Sequence, residues 1–154
     1  MIREKLKDSL KLAMKAGETI RVSTIRLILA AIKDRDIAAR ANGDDNNLGI
    51  KESEILELLN KMLKQRNETA STYEKAGRED LASQEKKEGE IIASFMPVQL
   101  NEEELTLAVG KAIENCGAST IREMGKVMEY LKMTYAGKCD FQKASIIVRQ
   151  RLGS

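Results

Sequence analysis

The chain has no histidine, no tryptophan, a single proline and only 3% aromatic residues. Without histidine it lacks the commonest general base, the usual partner of a serine or cysteine nucleophile, and the commonest metal ligand. Chemistry resting on lysine or on carboxylates stays open. With so few aromatics, a core can be built only from aliphatic side chains and the seven methionines. No apolar run approaches the ~18 residues of a membrane span, and the N-terminus has no apolar signal region. Cys116 and Cys139 make no disulfide framework and fit no zinc spacing, so they read as small hydrophobes of a reducing interior. No phosphate loop, dinucleotide fingerprint, HExxH or CxxC is present. These exclusions point to a cytoplasmic protein with no membrane association, no metal and no cofactor.

What the chain does have is helical periodicity. At 154 residues it makes one domain or two small ones, and its only proline, Pro97, marks the boundary. The expected parts are residues 1–97 and 98–154. In the first, Ile2, Leu6, Leu10 and Ala13 form one helical face that stops near Gly17. Val22, Ile25, Leu29 and Ile32 form a second, whose basic residues Arg21, Arg26, Lys33 and Arg35 read as its polar side. The stretch 42–47 (NGDDNN) is a polar, turn-rich loop. Two further helices, about 53–76 and 78–96, carry alternating three- and four-residue spacings. A turn at Ala76-Gly77 folds them antiparallel, pairing Tyr73 with Leu81, Thr69 with Glu85, Arg66 with Glu88, Met62 with Ile92 and Leu59 with Phe95. This hairpin is expected to project, with a solvated Arg66–Glu88 ion pair of little energetic weight at its waist.

The second part reads as three short helices. Asn101 with Glu104 and Thr120 with Glu123 are capping-box patterns, and Asp140 is a third start signal. The helices bury Leu105, Ala108, Val109, Ala112, Ile113 and Cys116; then Ile121, Met124, Met128 and Leu131; then Phe141, Ala144, Ile147, Val148 and Leu152. No segment alternates as a strand does. The fold expected is all-α: a four-helix N-terminal domain with the projecting hairpin, followed by a small three-helix domain.

Charge is uneven along this framework. From Gly125 to Arg151 six basic residues (Lys126, Lys132, Lys138, Lys143, Arg149 and Arg151) face two acidic ones, Glu129 and Asp140, whereas the whole chain is only +2. Such a segment can track a phosphate backbone, or it can simply be a solvated lysine face. Gly125 inside a helix costs up to about 1 kcal/mol relative to alanine. Either close helix packing or the approach of a ligand backbone would compensate. Gly137-Lys138 is a turn whose plain reading is a helix stop.

Several ordered segments resemble the YqeY family. They are Arg21-Val22-Ser23-Thr24-Ile25-Arg26-Leu27 with Ala30-Ala31-Ile32-Lys33, then Lys64-Gln65-Arg66, then Tyr73-Glu74-Lys75-Ala76-Gly77-Arg78-Glu79-Asp80-Leu81. Pro97-Val98-Gln99-Leu100 and Met124-Gly125-Lys126-Val127-Met128 complete the series. The resemblance covers nearly the whole chain. Its C-terminal module is similar to the tail of the GatB subunit of aspartyl/glutamyl-tRNA amidotransferase, which helps hold tRNA while other parts perform the chemistry. The resemblance thus implies a non-catalytic accessory protein that binds tRNA or a tRNA-like RNA. Gly125, Lys126, Lys132, Gly137, Lys138 and Lys143 would form the contact surface. Two alternatives stand beside it: a subunit of a carbon–nitrogen ligase using glutamine as amido donor, and a helical adaptor that docks a protein partner through the hairpin. Nothing in the sequence requires an assembly larger than a monomer.

Overall fold

The computed structural model describes residues 1–43 and 49–153, so most of the loop expected at 42–47 lies outside the described residues. Among these residues there are seven α-helices, one short 3-10 turn and no strand, as the periodicity predicts. Contacts divide the chain into two compact units, Met1–Met96 and Pro97–Ser154.

The first unit holds α1 (Ile2–Ala16), α2 (Thr19–Ala41), α3 (Glu52–Lys75) and α4 (Glu79–Ala93). Helix α1 ends at Gly17, whose left-handed conformation (φ 71°) suits glycine and lets its N–H reach the carbonyls of Ala13 and Met14. The core is aliphatic: Leu6, Ile25, Ile28, Ile32, Ile55, Leu59 and Ile92 are all but inaccessible, with Phe95 at its edge. Burial of each such side chain contributes about 1.5–3 kcal/mol. The buried face of α2 is rotated from the expected one. Ile28 and Thr24 join Ile25 and Ile32 inside, while Val22 and Leu29 are half-buried. Thr24 is tolerated there because its hydroxyl donates to the Ile20 carbonyl (2.8 Å). Helix α4 stops at Ala93, earlier than Pro97 demands. Tighter turns, from the Phe95 N–H to the Ile92 carbonyl and from the Met96 N–H to the Ala93 carbonyl, complete the descent. The Arg21 guanidinium lies 5.6 Å from the centre of the Phe95 ring.

One end of this unit is closed by a polar clip. The Arg3 guanidinium donates two hydrogen bonds to the Asp36 carboxylate (2.8 and 2.9 Å) and a third to the Ile50 carbonyl. Asp36 also accepts the Ile50 N–H at 2.8 Å. The start of α1, the last third of α2 and the approach to α3 are thereby tied together. Gly49, at φ 77°, lies against the clip, where a Cβ would run into both the Asp36 carboxylate and the Arg3 guanidinium. The Arg3 hydrogen bonds, helped by the Ile50 N–H, hold the Asp36 carboxyl below its ordinary range despite the opposing effect of burial.

Helices α3 and α4 are joined by the Ala76-Gly77-Arg78 turn, with Gly77 left-handed, and pack antiparallel. The expected Arg66–Glu88 pair forms at 3.0 Å, but Arg66 also meets Glu85 at 3.0 Å. Contrary to the expectation, water is largely excluded: the Glu88 side chain is only 11% exposed and Glu85 only 16%. Beside this pair the buried Gly89 of α4 faces Leu63, Arg66 and Asn67 of α3. Only Glu85 receives a well-aligned hydrogen bond from Arg66. Glu88 Oε2 is buried with the guanidinium's charge beside it but no directed donor. Beyond this waist the buried positions are the small residues Ala70 and Ala82, outside the main core cluster, and an exposed Lys86–Glu74 pair lies nearer the turn.

The second unit holds α5 (Glu102–Cys116), a 3-10 turn (Ile121–Glu123), α6 (Met124–Thr134) and α7 (Phe141–Leu152) around Val109, Val127, Leu131, Ala144 and Val148. All three start signals operate. Asn101 accepts the Glu104 N–H at 2.8 Å, Glu123 accepts the Ser119 and Thr120 N–H groups, and Asp140 accepts the Gln142 N–H at 2.9 Å. Ile121 is a correction to the sequence reading. The first turn tightens to 3-10 geometry, which rotates its side chain outward to 48% exposure.

Three substitutions test these contacts. Arg66→Met strands two enclosed carboxylates and should cost about 2 kcal/mol, between the limits for exposed and buried pairs, whereas Glu88→Gln removes the undirected charge and should be neutral or stabilising in chemical denaturation. Asp36→Ala should cost about 1–3 kcal/mol. Because the folded Asp36 carboxyl titrates below the unfolded one, this contribution is complete above about pH 4 and fades as pH falls through the lowered folded value. The gap between wild type and Asp36→Ala should therefore close in acid denaturation curves.

Candidate nucleic-acid interface

The six residues expected to contact RNA occupy different environments. Gly125 and Lys126 stand together at the start of α6, both exposed. Lys132 is also exposed but lies about 9 Å further along the axis, in the last turn, where its charge complements the helix dipole. Lys143 is exposed in the first turn of α7. Gly137 and Lys138 are different. Gly137 is buried, at φ 72°, and its carbonyl accepts the Gln99 side-chain N–H. The Lys138 N–H donates to the Tyr135 carbonyl, and its own carbonyl accepts the Leu100 N–H at 2.7 Å. This turn is the clasp that holds the segment 97–100 onto the unit, and its backbone is already occupied.

Gly125 has the opposite character. A Cβ added there would meet nothing within 4 Å, so helix packing does not explain the glycine. Of the two compensations open to the sequence, close packing is not the one observed. The surroundings are cationic. Exposed Arg122 precedes Lys126 by four residues, one helical turn, and it was missed as a candidate although that spacing is visible in the sequence. Glu123 lies between them with its carboxyl held below the usual range, first by the Ser119 N–H, then by that of Thr120 and by the charge of Lys126. One of its two oxygens, Oε2, accepts both capping N–H groups.

The cysteines carry no nucleophile of obvious use. Cys139 is buried, and its thiol is pushed up to about 11 by burial and by the neighbouring Asp140 charge, so it stays protonated at neutral pH. The half-buried Cys116 lies 3.8 Å from the Lys126 carbonyl through its sulfur, which anchors the start of α6 to α5. Among the described residues no cluster of three or more His, Cys, Asp or Glu could hold a metal, and no helix is long and apolar enough to cross a membrane.

The two glycines can be separated by one substitution each. Gly137→Ala should destabilise the unit by about 1–2 kcal/mol, the penalty of a left-handed residue with a Cβ. Gly125→Ala should stabilise it by up to about 1 kcal/mol. Thermal unfolding of the two variants checks both signs.

Comparison with known proteins places these features. A protein of Clavispora lusitaniae named "Altered inheritance of mitochondria protein 41, mitochondrial" is 39% identical over 101 residues, covering 64% of this chain and 55% of the relative. Proteins of the same name from Vanderwaltozyma polyspora and Eremothecium gossypii are 34% and 33% identical over 91 residues, covering 59% of this chain and 46% of each relative. The chain thus spans about half the length of these curated relatives. Their names overturn the cytoplasmic expectation. That expectation rested on unpaired cysteines and the lack of a membrane span, neither of which separates one reducing compartment from another. The family described as Yqey-like protein matches residues 3–152, and the chain belongs to it.

Proposed function

We propose that this protein is a non-catalytic RNA-binding accessory protein whose second unit holds tRNA, or an RNA of similar shape, against the start of α6. The observation that carries the reading is Gly125: an exposed helical glycine with no packing partner, flanked by Lys126 and one turn from Arg122. A phosphate–sugar backbone can approach a helix closely where no side chain intervenes, and the two cations supply the attraction. The resemblance of residues 98–154 to the GatB tail agrees with this use. Recognition rests on shape and backbone, since the exposed face of α6 offers no aromatic ring for base stacking. Lys132 lies in the last turn of α6 and Lys143 on a different helix, while Gly137 and the Lys138 backbone belong to the scaffold.

The ligase-subunit alternative finds no support at Cys139, whose thiol is buried and protonated. The hairpin-adaptor alternative loses its polar waist, because Arg66, Glu85 and Glu88 are consumed by one another.

The test is binding of the purified chain to bulk tRNA and to a stem-loop lacking the elbow, each titrated with salt. Intact tRNA should be preferred, with affinity falling steeply as salt rises. Lys126→Ala and Arg122→Ala should each weaken binding several-fold and reduce the salt slope by about one. Gly125→Leu should weaken binding without loss of stability, and Lys143→Ala should have little effect. Equal binding of both RNAs, or indifference to Lys126→Ala, would refute the reading.

A further inference from the structure

Independently of RNA binding, we infer that the first unit has a second docking surface: the groove along the seam of α1 and α2, which fits an acidic amphipathic helix of a protein partner. The two helices run antiparallel, since Gly17 joins their near ends and the Arg3–Asp36 clip joins their far ones. At the Gly17 end of their seam lies an open groove of about 730 Å³ whose lining includes Met14, Val22, Ser23, Arg26 and Leu27. Its apolar members are unusually accessible for their size, with Met14 54% exposed and Leu27 48%. They are adjacent, unlike the singly scattered apolar residues of an ordinary surface.

Charge selects the occupant. Along α1, Lys7, Lys11 and Met14 fall on one stripe; along α2, Arg26, Ala30 and Lys33 do the same, and all are exposed. Arg26 lines the groove itself, and Lys7, Lys11 and Lys33 continue the two stripes along the seam away from Gly17. Besides Asp36 of the clip, four carboxylates lie on these helices or at their junction: Glu4, Asp8 and Asp34 stand beyond or beside Lys7 and Lys33, and Glu18, next to the lining Gly17 and Thr19, is paired with Arg21 at 4.0 Å. An apolar floor between basic rims matches a helix with a leucine-type stripe and acidic flanks, which would lie in the seam as a third helix packs on two. A flat lipid surface is a poorer match, because the apolar atoms line a concavity rather than a crest. RNA is poorer still, because the floor presents aliphatic side chains and no ring.

The probe is a fluorescein-labelled peptide of sixteen residues, with leucine at positions i, i+3, i+4 and i+7 of a helix and glutamate on its flanks. It is compared with a scrambled peptide of the same composition and a lysine-flanked counterpart. Full-length protein should bind the acidic helix at least about tenfold more tightly than either control. Leu27→Asp should weaken that binding at least about tenfold while leaving thermal stability and tRNA affinity unchanged, since Leu27 is outside the core. Lys11→Glu with Arg26→Glu should reverse the preference toward the lysine-flanked peptide. Equal binding of the acidic and scrambled peptides, or indifference to Leu27→Asp, would overturn the inference. So would Leu27-dependent binding to phosphatidylglycerol vesicles in place of peptide. A concentration-dependent dimer that Leu27→Asp dissolves would likewise overturn it, by assigning the groove to a second copy of the chain.

Discussion

Burial of narrow aliphatic stripes is the constraint on which the rest of this protein depends. Isoleucine, leucine, valine and alanine at helical spacing must do what aromatic side chains do elsewhere, and each helix gives one face to that purpose. Aliphatic stripes fix which face of a helix turns inward but say little about where its end sits. Polar contacts supply that information: the Arg3–Asp36–Ile50 clip in the first unit, and the clasp of Leu100 and Gln99 onto the Gly137 turn in the second. Both join backbone groups that would otherwise lie unsatisfied near the edge of a small core.

The same clasp decides which part of the second unit is available to a ligand. The carbonyls of Gly137 and Lys138 accept from the segment 97–100 and the Lys138 N–H donates to the Tyr135 carbonyl, so this turn serves the scaffold of the unit. At the start of α6 the capping needs are met by Glu123, the sulfur of Cys116 lies against the Lys126 carbonyl, and the outer surface carries exposed Arg122 and Lys126 beside a glycine whose Cβ position is open. The contrast between two glycines, one buried and one bare, distinguishes scaffold from surface within a single short module.

Much of the fold was legible in the sequence because its signals are local. Gly17, Asn101 with Glu104, Thr120 with Glu123, and Asp140 mark helix ends through side chains that reach only a few residues. The hairpin register was legible too, since heptad spacing around a short turn leaves little choice, and Arg66 meets Glu88 as that register requires. What escaped depends on distance. Arg3 and Asp36 are 33 residues apart and carry no local mark of their pairing. The enclosure of Glu88 depends on how closely α4 packs on α3, and the outward turn of Ile121 on a 3-10 tightening that periodicity cannot express. For the site, the sequence marked Gly125 as unusual but could not tell packing from exposure. It also ranked Gly137 with Gly125, although one lies inside and the other outside. Compartment was beyond its reach, as the mitochondrial names of the relatives show.

If RNA meets this chain at the start of α6, the amides there should sense it. The experiment is chemical-shift mapping of the isotope-labelled protein titrated with tRNA at low salt. The largest perturbations should gather between Ile121 and Val127, with the Gly125 amide among them, while Gly137 and the first unit move little. Perturbations centred on the first unit or on the Gly137 turn, or scattered evenly over the lysines of both units, would contradict it.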